Sequence, residues 1–336
     1  MIDNKILLSK IKNKKAIVGV IGLGYVGLPL ALAIIKQGYT VQGYVRSNES
    51  KKNILAGAKD IVDNSEFLLK SIKNKKISIS TTTTNLEKCD IIIICIPTPV
   101  NKNKKPDLSS LKDVASKLAS INLSQKLLIN ESTVAPFTTS KVFGKLPGEY
   151  FLVCSPERID PGTNKTVESI PKVIGAADKE SLELGVKFYE QILEKKVVRV
   201  SSLEAAEMTK MLENTYRAVN IALINEFAKL ADSVGIDMLD VITAASSKWS
   251  FSTHYPGIGV GGHCIPVDPY YILEFAKKKN ISMDVIKTSL NENESIPLYV
   301  LQKIKAMYKS GMEVVIYGLT YKKNVADLRE SPVIVL

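Results

Sequence analysis

Little in this chain of 336 residues points to a disulfide-bonded or metal-stapled fold. Its four cysteines, Cys89, Cys95, Cys154 and Cys264, are scattered and form no CxxC pair. That spacing argues against a zinc site or a disulfide framework. Cys95 and Cys154 lie in strand-like runs, IIIICIP and YFLVCSP, and read as small buried residues. Cys89 reads as a helix end. Long apolar runs are also missing. None approaches the roughly 18 to 20 residues of a membrane span, and the longest candidate, Ile91 to Val100, contains two prolines. The opening stretch, MIDNKILLSKIKNKK, has no small-residue cleavage site, so a signal peptide is not expected and the cytoplasm is the expected location. Arginine is scarce, five of 45 basic residues. The lysines are dispersed, so the net charge of +11 reads as a solvated surface with mild attraction for anions. No nucleic-acid-binding motif accompanies it, and neither a nucleic acid nor a membrane is expected as a partner.

The strongest local pattern is AIVGVIGLGYVGLPLALAIIKQGYTVQGYV, residues 16 to 45. An apolar strand leads into Gly22, Gly24 and Gly27, a G-x-G-x-x-G motif that opens a helix, and a second strand follows. In that context the first glycine permits the tight turn, the second lets a pyrophosphate approach the backbone, and the third lets helix and strand pack closely. The helix N-terminus then faces the phosphates. Gly22, Gly24, Tyr25, Val26 and Gly27 are therefore the expected dinucleotide contacts. An acidic residue is expected about 20 residues on, at the tip of the second strand, to hold the ribose. Val45 stands there, followed by Arg46. An arginine in place of the acid suits a 2′-phosphate, so NADP is an alternative to NAD; the opposing reading is that Asn48 or Glu49 replaces the acid and Arg46 is simply exposed.

Further apolar runs follow at βα spacing: Lys76 to Ser80, Asp90 to Ile96, Lys126 to Asn130, Glu149 to Cys154, Lys172 to Ile174 and Val197 to Val200. The run ending at Ile96 continues into Pro97, Thr98 and Pro99, a stiff loop at the strand end where such sheets bind ligands. The alternation predicts an α/β, Rossmann-like doubly wound parallel sheet over residues 1–200. Ser201 and Glu204 then read as a capping box. A helix of roughly 50 Å runs to a stop at Gly235 and opens a central all-α dimerisation domain, residues 201–305. Shorter helices are expected at Asp237 to Ala245 and Tyr270 to Lys279. Lys210 and Asn214 share a helix face, and on the residues alone they read as an exposed pair. EVVIYGL and VIVL read as strands in 306–336, the truncated start of a second α/β domain.

The motifs in order are GLGYVGLPLA, IPTP, EST, SPERIDPG, EMTKMLENTYRAVNIALINE, YPGIGVGGHCIPVDPYY and GLTYKKNVADLRESP. Together they resemble the UDP-glucose/GDP-mannose dehydrogenase family along essentially the whole chain. SPERIDPG, then IPKVIG, resembles the branch acting on N-acetylated UDP-hexosamines, since Arg158-Ile159-Asp160 departs from the UDP-glucose pattern. The resemblance implies a four-electron oxidation of a sugar C6 hydroxyl to the carboxylate, in two NAD-dependent steps, for capsule or lipopolysaccharide precursor synthesis. A thiol that is both a good nucleophile and a good leaving group suits this chemistry, and Cys264 is the implied nucleophile. Asp268 would orient or deprotonate water. Lys210 and Asn214 would stabilise oxyanions. Glu157 would assist proton transfer in hydrolysis, and Thr133 would position water or substrate. Pro97, Thr98, Thr133 and Arg329 are implied as cofactor contacts beside the glycine turn and Arg46. Glu157, Arg158, Lys210, Asn214, Tyr255, Gly257, Gly259, Gly261 and Lys322 are implied at the UDP-sugar. A homodimer through the central helices is implied too. Runner-up readings are a UDP-glucose 6-dehydrogenase, a lapsed nucleotide-binding remnant, and a hydroxyacid-type dehydrogenase without a cysteine nucleophile.

Overall fold

The apolar runs of the first 200 residues assemble into one sheet. The computed structural model describes residues 4–59, 61–62, 64–159, 165–323 and 327–336. Its strands are β1 (Ile17–Ile21), β2 (Thr40–Tyr44), β3 (Ile77–Ser80), β4 (Ile91–Ile94), β5 (Leu127–Asn130), β6 (Phe151–Cys154), β7 (Val173–Ala176) and β8 (Val198–Arg199). They lie in the order β3-β2-β1-β4-β5-β6-β7-β8. β4, β5 and β6 are buried at every position, as strands covered on both faces must be. Period-two alternation divides them between the faces: Ile91 and Ile93 join one core cluster, Ile92 and Ile94 the other.

The helices are α1 (Lys5–Lys12), α2 (Gly27–Lys36), α3 (Asn48–Leu55), α4 (Ser65–Lys73), α5 (Ser109–Leu118), α6 (Thr138–Phe143), α7 (Lys179–Glu190), α8 (Leu203–Val234), α9 (Met238–Ala245), α10 (Asp268–Lys278) and α11 (Asp284–Met307). Local chemistry starts several of them. The Ser47, Asn64, Asp178 and Asp237 side chains each accept a backbone N–H in the first turn that follows. α8 ends where Gly235 adopts φ +72°, the left-handed stop expected of glycine. Among the described residues no helix is long and apolar enough to cross a membrane.

Four expectations need correction. The sheet is not wholly parallel, because β7 pairs antiparallel with β6. The cap of α8 is Ser202, whose Oγ accepts from the N–H of Ala205; Glu204 is drawn instead to the Ser140 hydroxyl at 3.2 Å. EVVIYGL forms no strand, and Val315 and Tyr317 are exposed. VIVL holds only a 3-10 turn, Pro332–Ile334. A strand is stabilised by its ladder and cross-strand packing, and no described strand pairs with either segment. α11 carries Pro297 in its interior. Proline removes one backbone donor and disfavours a helix interior, yet Pro297 and neighbouring Ile296 are buried here and packing outweighs that cost.

By compactness the chain divides into two units. One comprises Met1–Pro99 and Asp107–Lys210, the other Val100–Pro106 and Met211–Leu336.

Candidate active site

In the first unit the glycine turn between β1 and α2 has the three-part division of labour the motif predicts. Gly22 sits at φ +90°, and a Cβ there would meet the Cys95 carbonyl oxygen at 2.4 Å. A Cβ on Gly27 would lie 1.9 Å from the Gly22 carbonyl oxygen. A Cβ on Gly24 would meet nothing within 4 Å. Two of the glycines are thus required by the protein's own backbone, and the third leaves open space where a pyrophosphate would approach. These residues fit a dinucleotide. Tyr25 and Val26 are half-buried beside it. Val45 is buried in the core and continues the β2–β3 ladder by donating to the Ser80 carbonyl at 2.9 Å. Arg46 is the exposed residue at that corner, while Asn48 and Glu49 are taken into the first turn of α3.

The loops after β4 and β5 are tied to each other. Ser132 Oγ accepts from the N–H of Ile96 at 3.0 Å, and the Thr98 hydroxyl donates to the Thr133 carbonyl at 2.6 Å. Pro97 lies exposed between these ties. Glu157, after β6, is buried and ion-paired to Lys172. Burial by itself would raise its pKa, but Lys172 and the N–H groups of Arg158 and Ile159 hold it below the usual carboxylate range. The Arg158 guanidinium donates to the Pro171 carbonyl at 2.9 Å. Asp160 lies outside the described residues.

In the second unit the cysteine loop leads directly into α10. The Cys264 carbonyl accepts from the N–H of Asp268 at 2.8 Å and of Val267 at 3.1 Å. Cys264 is the exposed cysteine, whereas Cys89, Cys95 and Cys154 are buried. Asp268 is only 3% exposed and accepts from the Nδ2 of Asn214. The backbone turn and this hydrogen bond bring Cys264, Asp268 and Asn214 together. The expectation of an exposed Lys210–Asn214 pair is wrong, since both residues are buried. Lys210 and Asn214 fall in different compact units.

Around the loop, a Cβ on Gly261 would meet Tyr321 at 2.5 Å and the Glu330 carbonyl at 2.7 Å, and one on Gly262 would meet the Tyr321 ring at 2.7 Å. The space beside both glycines is therefore occupied by the chain's own later segment. His263 Nε2 lies 2.7 Å from Asp327, which also holds Arg329 at 2.9 Å. Burial and the charge of Arg329 lower the His263 pKa despite Asp327. The N–H of Gly257 donates to Asn225 Oδ1 at 3.0 Å. Gly259 packs on Pro297 and Pro332, Lys322 is half-buried, and Tyr255 is exposed.

Several buried polar residues escaped the sequence reading: Glu131, Lys172, Tyr189 and Asn225. The one available signal was a lysine directly before an apolar run, in IPKVIG.

Residues 16–193 fit the profile of the UDP-glucose/GDP-mannose dehydrogenase family, NAD binding domain, and residues 204–295 that of the family's central domain. The chain is 38% identical over 323 residues to a UDP-N-acetyl-D-mannosamine dehydrogenase of Methanocaldococcus jannaschii, covering 93% of this chain and 74% of the relative. It is 36% identical over 333 residues to a UDP-N-acetyl-D-glucosamine 6-dehydrogenase of Pseudomonas aeruginosa, covering 94% and 78%. The solved structure of the UDP-D-ManNAc dehydrogenase from Pyrococcus horikoshii superposes with a TM-score of 0.86 at 32% identity, over 95% of this chain and 79% of that one. With both domains matched over most of its length, the chain belongs to the UDP-glucose/GDP-mannose dehydrogenase family, oxidoreductases that bind NAD.

Proposed function

We propose that the protein is a UDP-N-acetylhexosamine 6-dehydrogenase, oxidising the C6 hydroxymethyl group of UDP-ManNAc or UDP-GlcNAc to the carboxylate. The observation that carries this reading is the exposed Cys264 at the head of α10, four residues before a buried Asp268 fixed by Asn214. The identities to N-acetylhexosamine dehydrogenases support the choice of sugar. Gly22, Gly24 and Gly27 would hold NAD, which would supply the hydride acceptor. Cys264 adds to C6 once the alcohol has become an aldehyde; the resulting thiohemiacetal gives up a second hydride, to a second NAD, to become the thioester, and water releases the acid and frees the thiol. Asp268 accepts a hydrogen bond from Asn214, so its carboxylate is held in one orientation beside the Cys264 turn, suited to directing that water. Lys210 is proposed to stabilise the oxyanion, and Glu157 and Thr133 to act in hydrolysis, on the family resemblance. Arg46, exposed where an acid is usual, is proposed to admit NADP alongside NAD. The acid so formed would serve polysaccharide precursor synthesis.

A homodimer is proposed through α8, where Leu212, Tyr216, Leu223, Phe227, Leu230 and Val234 are all exposed on one helix at close to heptad spacing. Such a stripe is the kind a second helix covers.

The test is formation of reduced cofactor with NAD and NADP offered separately and UDP-GlcNAc, UDP-ManNAc and UDP-glucose in parallel. Two reduced cofactors per uronic acid are expected, with the N-acetylated sugars preferred. Cys264→Ala abolishes the acid. Normal acid production by that variant would sink the mechanism.

A further inference from the structure

β7 is antiparallel to its neighbour β6, and that reversal carries a lysine to the ligand end of the sheet. The β6–β7 register sets Val153 opposite Ala176 and Cys154 opposite Gly175. Extended three residues past β6, the same register brings Glu157 opposite Lys172, the residue just before β7. A parallel β7 would start at the opposite edge of the sheet. β5 runs parallel to β6 with Asn130 beside Cys154, so Glu131, the residue after β5, reaches this end too.

The three charges meet in the interior. Lys172 Nζ lies 2.6 Å from Glu157 Oε2 and 2.9 Å from Glu131 Oε2, with the lysine side chain 1% exposed. The Tyr189 hydroxyl on α7 donates to Glu131 Oε1, and the Tyr189 ring centroid is 5.0 Å from Nζ. Glu157 Oε1 accepts the N–H groups of Arg158 at 2.6 Å and Ile159 at 2.8 Å. Cys95, after β4, faces the cluster as a neutral thiol, its pKa pushed well up by burial and then by Glu131.

Two buried carboxylates share one ammonium, and excess buried charge is costly. The cluster resolves this unequally. Burial, with the charge of Glu157 adding to it against the pull of Lys172, pushes Glu131 up to about 7. Glu157, with two backbone donors of its own, stays low. Below about pH 7 the proton therefore sits on Glu131, and the charge stays on Glu157.

We propose that Lys172 is a positioning residue of the site, keeping Glu157 ionised and fixing the Ser155–Ile159 segment, with Glu131 as its second anchor. The proposal rests on the reading of Glu157 as a participant in hydrolysis.

The test uses the full chain with Lys172→Met and Glu131→Gln, each checked for fold by circular dichroism. Infrared titration reads the carboxyls without turnover. The wild-type minus Glu131→Gln difference should show one protonated carboxyl that disappears as pH rises through about 7. Lys172→Met should show one more protonated carboxyl than wild type at about pH 6. In turnover, Lys172→Met should lower kcat by roughly 10² with little change in KM for the UDP-sugar. The pH profile of Glu131→Gln should lack the wild-type inflection near 7. A merely structural cluster moves neither the kcat–KM split nor the profile of a folded variant. A flat infrared difference, or a folded Lys172→Met with wild-type kcat, overturns the proposal. If Lys172→Met does not fold, Glu131→Gln alone decides through the infrared difference. If wild type turns over no UDP-sugar, the enzymatic reading fails, and the two infrared comparisons still report whether Lys172 holds the charge on Glu157.

Discussion

Glu207 and Glu157 are both buried carboxylates in the first unit, and their neighbours set them apart. Glu157 has a lysine against it. Glu207 is fully buried, and its Oε1 accepts the Thr139 N–H at 2.7 Å. Burial dominates and pushes its pKa up to about 7, with the hydrogen bonds to Thr139 and Phe137 opposing. A folded-state pKa above the unfolded value means that the folded state binds the proton more tightly. The stability this gives is fully present below about pH 4.5 and is lost as pH rises through about 7. The loss is on the order of 3 kcal/mol. Urea unfolding at pH 5 and pH 8 should show a smaller fall in stability for Glu207→Gln than for wild type, by about that amount. Equal falls in the two proteins would show that Glu207 is ionised in the fold at both pH values.

At the scale of elements, α8 does two separate jobs along its length. Its first turns pack on the sheet, where Leu203 and Ala206 are buried and a Cβ on Gly175 of β7 would meet the Ser202 carbonyl at 1.9 Å. Further on, its apolar side chains are left exposed. Leucine and phenylalanine side chains each contribute about 1.5–3 kcal/mol when fully buried, so covering several of them is a sufficient driving force for association. Phe227→Glu places a charge in that stripe, where burial without a partner is unfavourable. Sedimentation should then show the proposed dimer for wild type and a monomer for the variant, which keeps its helical circular dichroism. A variant that sediments as the wild type does would move the interface off this face.

The glycines proposed to hold the nucleotide belong to the first compact unit, so cofactor binding should be visible as stabilisation of the molecule. Saturation at about 100 times Kd adds roughly 2.7 kcal/mol. Gly24→Val is the informative variant, because a side chain there meets open space in the protein and obstructs only the approach of a pyrophosphate. Its melting temperature without NAD should match that of wild type, and the rise on adding NAD should disappear. A preserved rise would place the cofactor elsewhere.

Local chemistry made much of this molecule legible in the amino-acid order. The glycine turn, the strands of the first unit and α8 with its stop at Gly235 were readable, because each depends on residues close in sequence: periodicity and a turn needing glycine. Cys264 and Asp268 were singled out through the family resemblance. Ser202 rather than Ser201 as the cap departed from that reading. Only the tertiary structure decided the direction of β7, and with it the meeting of Lys172, Glu131 and Glu157. It likewise decided the burial of Lys210 and Asn214, which by spacing alone look exposed. A strand's direction depends on the ladder it joins, and a side chain's charge state depends on what is buried against it. Both come from residues distant along the chain, brought together only when the sheet closes over its cores.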